Sequence, residues 1–144
     1  MSEQTITCRV LLVEDIESEA KLVVKNLRRV SGWRFIIEHF DRLVPALERA
    51  RESRFDVVLL DLNLPGASGY DVLAQLRADP ATAALPCVAV SADAMPDELL
   101  RARQAGFVDY WTKPLVMAGL AQRIHAVAAA HRAGRATPPG PRGS

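Results

Sequence analysis

Five times along this chain a short apolar run gives way to an amphipathic stretch, and that alternation restricts the fold more than any other feature. The runs are Cys8–Val13, Trp33–His39, Asp56–Leu60, Pro86–Val90 and Phe107–Trp111. Most are short, rich in aliphatic side chains and bounded by turn formers, as strands buried on both faces are. Between them lie helical patterns. The first spans about Ile16–Val30, with Ala20, Val23, Val24 and Leu27 at core-facing spacing. The later ones carry Leu43, Leu47 and Ala50, then Val72, Leu73 and Leu76, and finally Leu120, Ile124 and Val127. Met95-Pro96 opens the fourth, with Pro96 suited to the first helical position. Strict alternation of strand and helix requires a parallel sheet with helices on both faces.

The punctuation adds finer expectations. Gly32 and Gly106 stand where helices end. Asp41 is expected to cap the second helix. Pro45, about one turn in, predicts a late or irregular start for it. The last helix is expected to follow directly on Lys113-Pro114.

Size and composition exclude several classes. The chain has 144 residues, enough for one domain with a real core, and a net charge of +1. Its arginines are scattered, so no nucleic-acid surface is expected. No apolar run approaches the ~20 residues of a membrane helix. The start lacks the basic and apolar regions of a signal peptide. Cys8 and Cys87 both fall in predicted strands and read as buried hydrophobes. A reducing, cytoplasmic setting is the default expectation. Residues 6–132 read as the domain. Residues 133–144, rich in Gly, Pro and Arg, are expected to be a disordered tail or linker.

Acids stand where packing has no use for them. Asp61 follows Val57-Val58-Leu59-Leu60 and precedes Leu62-Asn63-Leu64-Pro65-Gly66. Glu14-Asp15 follows the first strand. In open parallel sheets ligands bind at these C-terminal strand ends. Two strands that finish in carboxylates suggest a divalent-cation pocket.

Taken in order, Glu14-Asp15, Asp61-Leu62-Asn63-Leu64-Pro65 leading to Gly69, Ser91-Ala92, Tyr110 and Lys113-Pro114 resemble the receiver domain of two-component response regulators, of the chemotaxis-regulator type. The resemblance covers about residues 8–130. It implies a doubly wound, five-stranded flavodoxin-like (βα)5 fold with strand order 2-1-3-4-5. It implies that Asp61 accepts a phosphoryl group from a histidine kinase or histidine phosphotransfer protein. Mg²⁺ would be held by Asp15, Asp61, the carbonyl of Asn63 and, through water, Glu14. Phosphoryl transfer is mostly positioning and charge neutralisation, and a hard cation prefers such oxygen ligands. Lys113 would pair with Asp61 before transfer and with a phosphoryl oxygen afterwards, and Ser91 would donate to another. Tyr110 would be a rotamer switch, read out by a downstream effector or attached output domain on the fourth-helix, fifth-strand, fifth-helix surface. The chain would be a signalling switch rather than an enzyme, with no direct nucleic-acid or membrane partner.

Plainer readings stand beside these. Glu14-Asp15 taken alone is a helix N-terminal charge pair. Asp61 alone is a turn acid, Ser91 a loop hydroxyl and Tyr110 a core residue. Asp93 is either a solvated loop acid or, by the resemblance, a residue that tunes phosphoryl lifetime. His39, His125 and His131 read as surface or packing residues. Lys113 reads as a solvent-reachable charge whose loss costs little stability. A constitutive interaction module is the competing function. A phosphatase of similar fold would need an acid where Asn63 stands. Trp111 is expected to face the helix layer opposite Tyr110.

Overall fold

β3 (Val57–Asp61) is the centre of the molecule, with every residue buried. It pairs in parallel with β1 (Ile6–Val13) on one side and β6 (Cys87–Ser91) on the other. β2 (Trp33–Phe40) and β7 (Asp109–Thr112) form the edges, giving the order β2-β1-β3-β6-β7. This is the expected 2-1-3-4-5 arrangement; the extra numbers belong to a small antiparallel hairpin, β4 (Asn63–Leu64) and β5 (Ala67–Ser68). The computed structural model describes residues 6–136.

Alternation along the strands feeds two cores. Val57 and Leu59 join Val10, Leu12, Val88 and Val90 beneath α1 (Glu17–Arg28) and α5 (Leu120–Ala136). Val58 and Leu60 join Leu11, Val13, Cys87 and Ala89 beneath α2 (Leu43–Glu52), α3 (Gly69–Ala78) and α4 (Pro96–Ala105). Each fully buried aliphatic side chain stabilises the fold by about 1.5–3 kcal/mol relative to exposure. Tyr110 packs on the second core and Trp111 on the first, so the two do face opposite layers. Cys8 and Cys87 are free and buried, and burial chiefly pushes both thiols up to about 11.

Several local expectations need correction. α2 is preceded by Arg42, not Asp41, and has no side-chain cap. It starts at Leu43, one residue later than an Asp41 cap would place it, so Pro45 is its third residue. There the missing N–H is one a helix leaves unpaired anyway. α5 begins only at Leu120, with a non-helical segment between it and Pro114. It runs on to Ala136, past the boundary expected at residue 132. Residues 137–144, the rest of the expected tail, lie outside the described residues.

α1 stops at Arg28, capped by Arg29, short of the end expected at Val30 and Gly32, while other ends follow the sequence. Pro96 is the first residue of α4, and Gly106 closes it at φ 116°, a left-handed conformation. α3 starts in a capping box: the Ser68 hydroxyl accepts from Asp71 N–H at 3.3 Å, and the Asp71 carboxylate accepts from Ser68 N–H at 3.4 Å. At the β7 edge, Asp109 accepts the backbone N–H of Tyr110 at 2.8 Å and the indole N–H of Trp111 at 3.0 Å.

Candidate functional site

Parallel strands bring their C-terminal ends to one side, and there β1, β3 and β7 deliver Glu14, Asp15, Asp61 and Lys113 together. Oxygens of Glu14, Asp15 and Asp61 lie within 4.8 Å of one another. Among the described residues this is the one acid cluster suited to a metal ion. Asp61 is 3% exposed. Its Oδ1 accepts the backbone N–H of Asn63 at 2.9 Å and its Oδ2 accepts from Lys113 Nζ at 2.9 Å. Glu14 is buried and Asp15 half-buried. Glu14 Oε2 accepts the N–H of Ile16 at 3.1 Å.

The loop after Asp61 is held by a close approach. Gly69 N–H donates to the Leu62 carbonyl at 2.9 Å. A Cβ on Gly69 would lie 2.7 Å from Leu62 Cα and 2.9 Å from the Asp61 carbonyl oxygen. Only glycine lets α3 begin this close beneath the acid.

Lys113 departs from its sequence reading. Its side chain is 13% exposed, and Nζ donates to Glu14 Oε1 at 2.8 Å, Glu19 Oε1 at 2.9 Å and Asp61 Oδ2 at 2.9 Å. All three ammonium hydrogens are used. It is a half-buried counter-ion with its ammonium committed to three carboxylates, not a freely solvated charge. Burial alone would lower its pKa, but the three carboxylates outweigh that and raise it.

The carboxylates divide the charge unequally. Glu14 is pushed up to about 7, first by burial and then by the neighbouring Asp61, against the pull of Lys113 and the Ile16 N–H. For Asp61 burial is the largest influence and acts upward. Its hydrogen bonds with Glu14, the Asn63 N–H and Lys113 together carry it below the ordinary carboxylate range. The two acids are thus pushed in opposite directions, Glu14 up and Asp61 down, which favours the anionic form of Asp61. A nucleophile needs that state.

Ser91 and Tyr110 frame the other side. Asp61 pairs in register with Val90, so Ser91 stands one residue further along the adjacent strand. Its Oγ is buried and accepts the Asp93 N–H at 3.1 Å. The Tyr110 hydroxyl donates to the Asp93 carbonyl at 2.6 Å, so both residues meet the same short loop. Asp93 Oδ1 accepts the Met95 N–H at 2.9 Å and shapes the entry to α4. Asn63 is exposed and reaches the site through its backbone.

Of two further residues at the site, Glu19 carried no assignment from sequence and His39 read as a surface or packing residue. Glu19, in the first turn of α1, is the third partner of Lys113. His39 Nε2 is 2.7 Å from the Glu14 carbonyl oxygen. His125 stacks on Trp33 at 4.9 Å between ring centroids, the packing role expected of it. A cavity of about 100 Å³ opens beside Glu14, Glu19 and Asp61 over Leu12, Leu59 and Val90.

Comparison with known proteins decides the family. A family model described as the response regulator receiver domain matches residues 10–125. This chain belongs to the response regulator receiver family. The receiver domain is 35% identical over 116 residues to chemotaxis protein CheY-3 of Vibrio cholerae, covering 81% of this chain and 88% of that protein. It is 36% identical over 145 residues to the virulence sensor protein BvgS of Bordetella pertussis, covering 97% of this chain and 11% of that protein. Among solved structures it is similar to the receiver domain of sensor histidine kinase PA1611 from Pseudomonas aeruginosa, at TM-score 0.75 and 26% identity. That match covers 85% of this chain and 98% of the other, which holds a magnesium ion in its active-site cleft. The receiver domain is thus a CheY-like module of two-component systems, and its acid cluster fits the family's Mg²⁺ site. Clustered, buried carboxylate oxygens are the donors a hard cation selects. No helix among the described residues is long and apolar enough to cross a membrane.

Proposed function

We propose that Asp61 accepts a phosphoryl group from the phosphohistidine of a histidine kinase or histidine phosphotransfer protein. The observation that carries this is the anionic, buried Asp61 set between the Glu14-Asp15 pair and the Lys113 ammonium. In the transfer an Asp61 carboxylate oxygen forms the new O–P bond as the P–N bond breaks. The departing electron pair stays on the donor imidazole. When bound, Mg²⁺ neutralises phosphoryl charge; Asp15, Asp61, the Asn63 carbonyl and, through water, Glu14 would hold it. Lys113 offers a point charge to one phosphoryl oxygen. Ser91, at the end of β6, donates its hydroxyl to another.

The receiver is a signalling switch in this reading, not an enzyme acting on a separate substrate, and its setting is cytoplasmic. Ser91 and Tyr110 meet through the Asp93 loop, so a shift of Ser91 toward the phosphoryl group is felt by Tyr110 and by α4. The α4–β7–α5 surface then presents the signal to a downstream effector or attached output domain.

Labelling with acetyl phosphate and Mg²⁺, followed by intact mass, tests the proposal. The wild type gains one phosphoryl group and Asp61→Asn gains none. A wild type that stays unlabelled points instead to a constitutive interaction module. Labelling of Asp61→Asn at the wild-type level moves the acceptor elsewhere.

A further inference from the structure

Asp61 and Asp15 are held in place to different degrees. Asp61 ends β3, which pairs with β1 on one side and β6 on the other. Asp15 lies past the end of β1, whose last register pair is Val13 with Phe40. Among the described residues it makes no hydrogen bond of its own. Its place depends on Glu14, and the last two residues of β2 hold the Glu14 backbone from both sides. The Glu14 N–H donates to the Phe40 carbonyl at 2.9 Å, and the Glu14 carbonyl oxygen lies 2.7 Å from His39 Nε2. A carbonyl only accepts, so Nε2 carries the hydrogen, in the neutral ring and in the cation alike. That carbonyl belongs to the planar peptide unit that joins Glu14 to Asp15. Holding its oxygen therefore sets the direction in which Asp15 leaves the strand.

We propose that His39 is a positioning residue for the metal: its ring N–H clamps the Glu14–Asp15 peptide and keeps the Asp15 carboxylate where Mg²⁺ needs it. This rests on the reading of Glu14, Asp15 and Asp61 as the Mg²⁺ cluster. Groups that orient a ligand without touching the ion tune metal affinity. Here the orientation passes through the backbone. Mg²⁺ demands near-ideal octahedral geometry, so a ligand free to wander weakens the site. A site that is competent in only a fraction of molecules loses affinity by that fraction. His39 is exposed, so its hydrogen bond has the modest strength of an ordinary one, and losing it lowers the competent fraction by roughly fivefold.

The test compares wild type, His39→Phe, His39→Ala and His39→Gln. Phenylalanine keeps a ring and loses the donor, whereas glutamine places an amide N–H where Nε2 stands. Mg²⁺ alone is titrated into each protein and followed by backbone amide NMR shifts. Urea titration in chelator reports the fold. His39→Phe and His39→Ala are expected to bind Mg²⁺ roughly fivefold more weakly, and His39→Gln to return close to the wild type. Unchanged Mg²⁺ affinity in both His39→Phe and His39→Ala would overturn the proposal and leave the acid cluster standing. Weakening that His39→Gln shares in full would overturn it too, because the N–H would then not be the active part. Weakening that follows the urea midpoint across all three variants would assign His39 a structural role only. A wild type without saturable Mg²⁺ shifts, indistinguishable from Asp61→Asn, would overturn the metal reading together with this one.

Discussion

Replacing Lys113 with Met removes one ammonium while keeping a side chain of similar length, so the outcome reports charge rather than packing. In the wild type that ammonium is 13% exposed and bonded to Glu14, Glu19 and Asp61 at 2.8–2.9 Å. Deleting one partner of a buried ion pair costs about 3–5 kcal/mol, because the remaining charge has neither cation nor water. Here two buried carboxylates lose their cation together. Glu14 can offset part of the loss by taking up a proton once Lys113 no longer pulls against it, since burial and Asp61 already push it up to about 7. The lower end, about 3 kcal/mol, is therefore expected at neutral pH. In a domain of this size each kcal/mol moves Tm by about 2–4 °C, so the variant should melt roughly 6–12 °C lower. The assay is calorimetric melting in the presence of a chelator. Saturating Mg²⁺ should narrow the gap, because the cation neutralises the same oxygens and stabilises the folded state by binding it. Lys113→Arg, which keeps the charge, should lose less. If Lys113→Met melts with the wild type in chelator, the carboxylates do not depend on the ammonium and the account of the site's electrostatics is wrong.

Gly69→Ala should lower stability by about 1–3 kcal/mol in urea titration, because a Cβ would sit 2.7 Å from Leu62 Cα. An unchanged urea midpoint would show that the β3–α3 loop yields freely. Glu38 accepts from Arg49 at 2.6 and 3.0 Å and from Arg9 at 3.4 Å, and the Arg49 hydrogen bond chiefly holds it below the usual carboxylate range. A carboxyl lowered in the folded state adds stability above the ordinary value of 4.5, which is lost as pH falls through the folded value. Glu38→Gln should thus cost up to about 1 kcal/mol at pH 7, with the gap to wild type closing in acid. Beryllofluoride with Mg²⁺ should change the fluorescence of the wild type and of Trp33→Phe, and the change should largely vanish in Trp111→Phe. Trp111 lies next to Tyr110 on β7, whereas Trp33 is on the far edge strand. Survival of the signal in Trp111→Phe would place the moving region elsewhere.

The sheet was legible because its strands are apolar on both faces and its helices repeat at 3.6 residues; those periods survive in β3 and α1 whatever surrounds them. Carboxylates ending β1 and β3 were legible for the opposite reason: burial cannot explain an acid there. What escaped notice depends on neighbours far along the chain. Nothing local separates Glu19 from Glu17, the other acid in the first turn of α1; only the fold swings Lys113 over it. Lys113 itself ends an edge strand, where a lysine ordinarily meets water, and its burial comes from Glu14, Glu19 and Asp61 closing around it. Counting from Asp41 puts Pro45 one residue too deep in α2; with the helix beginning at Leu43, Pro45 breaks no bond. The β4–β5 hairpin has two residues per strand, too few for any alternation to register.

Asp109 turns its carboxylate back along β7, taking the amide of Tyr110 and the indole of Trp111 from its own strand. An edge strand ordinarily offers such amides to any passing extended chain. Here the offer is withdrawn at Tyr110, the tyrosine of the proposed switch. A partner that reads this end of the molecule must therefore recognise side chains and helix surface, because adding a strand to the sheet would first have to evict the Asp109 side chain from two hydrogen bonds. The border of the sheet is closed to backbone recruitment beside Tyr110, the residue that the proposed switch would move.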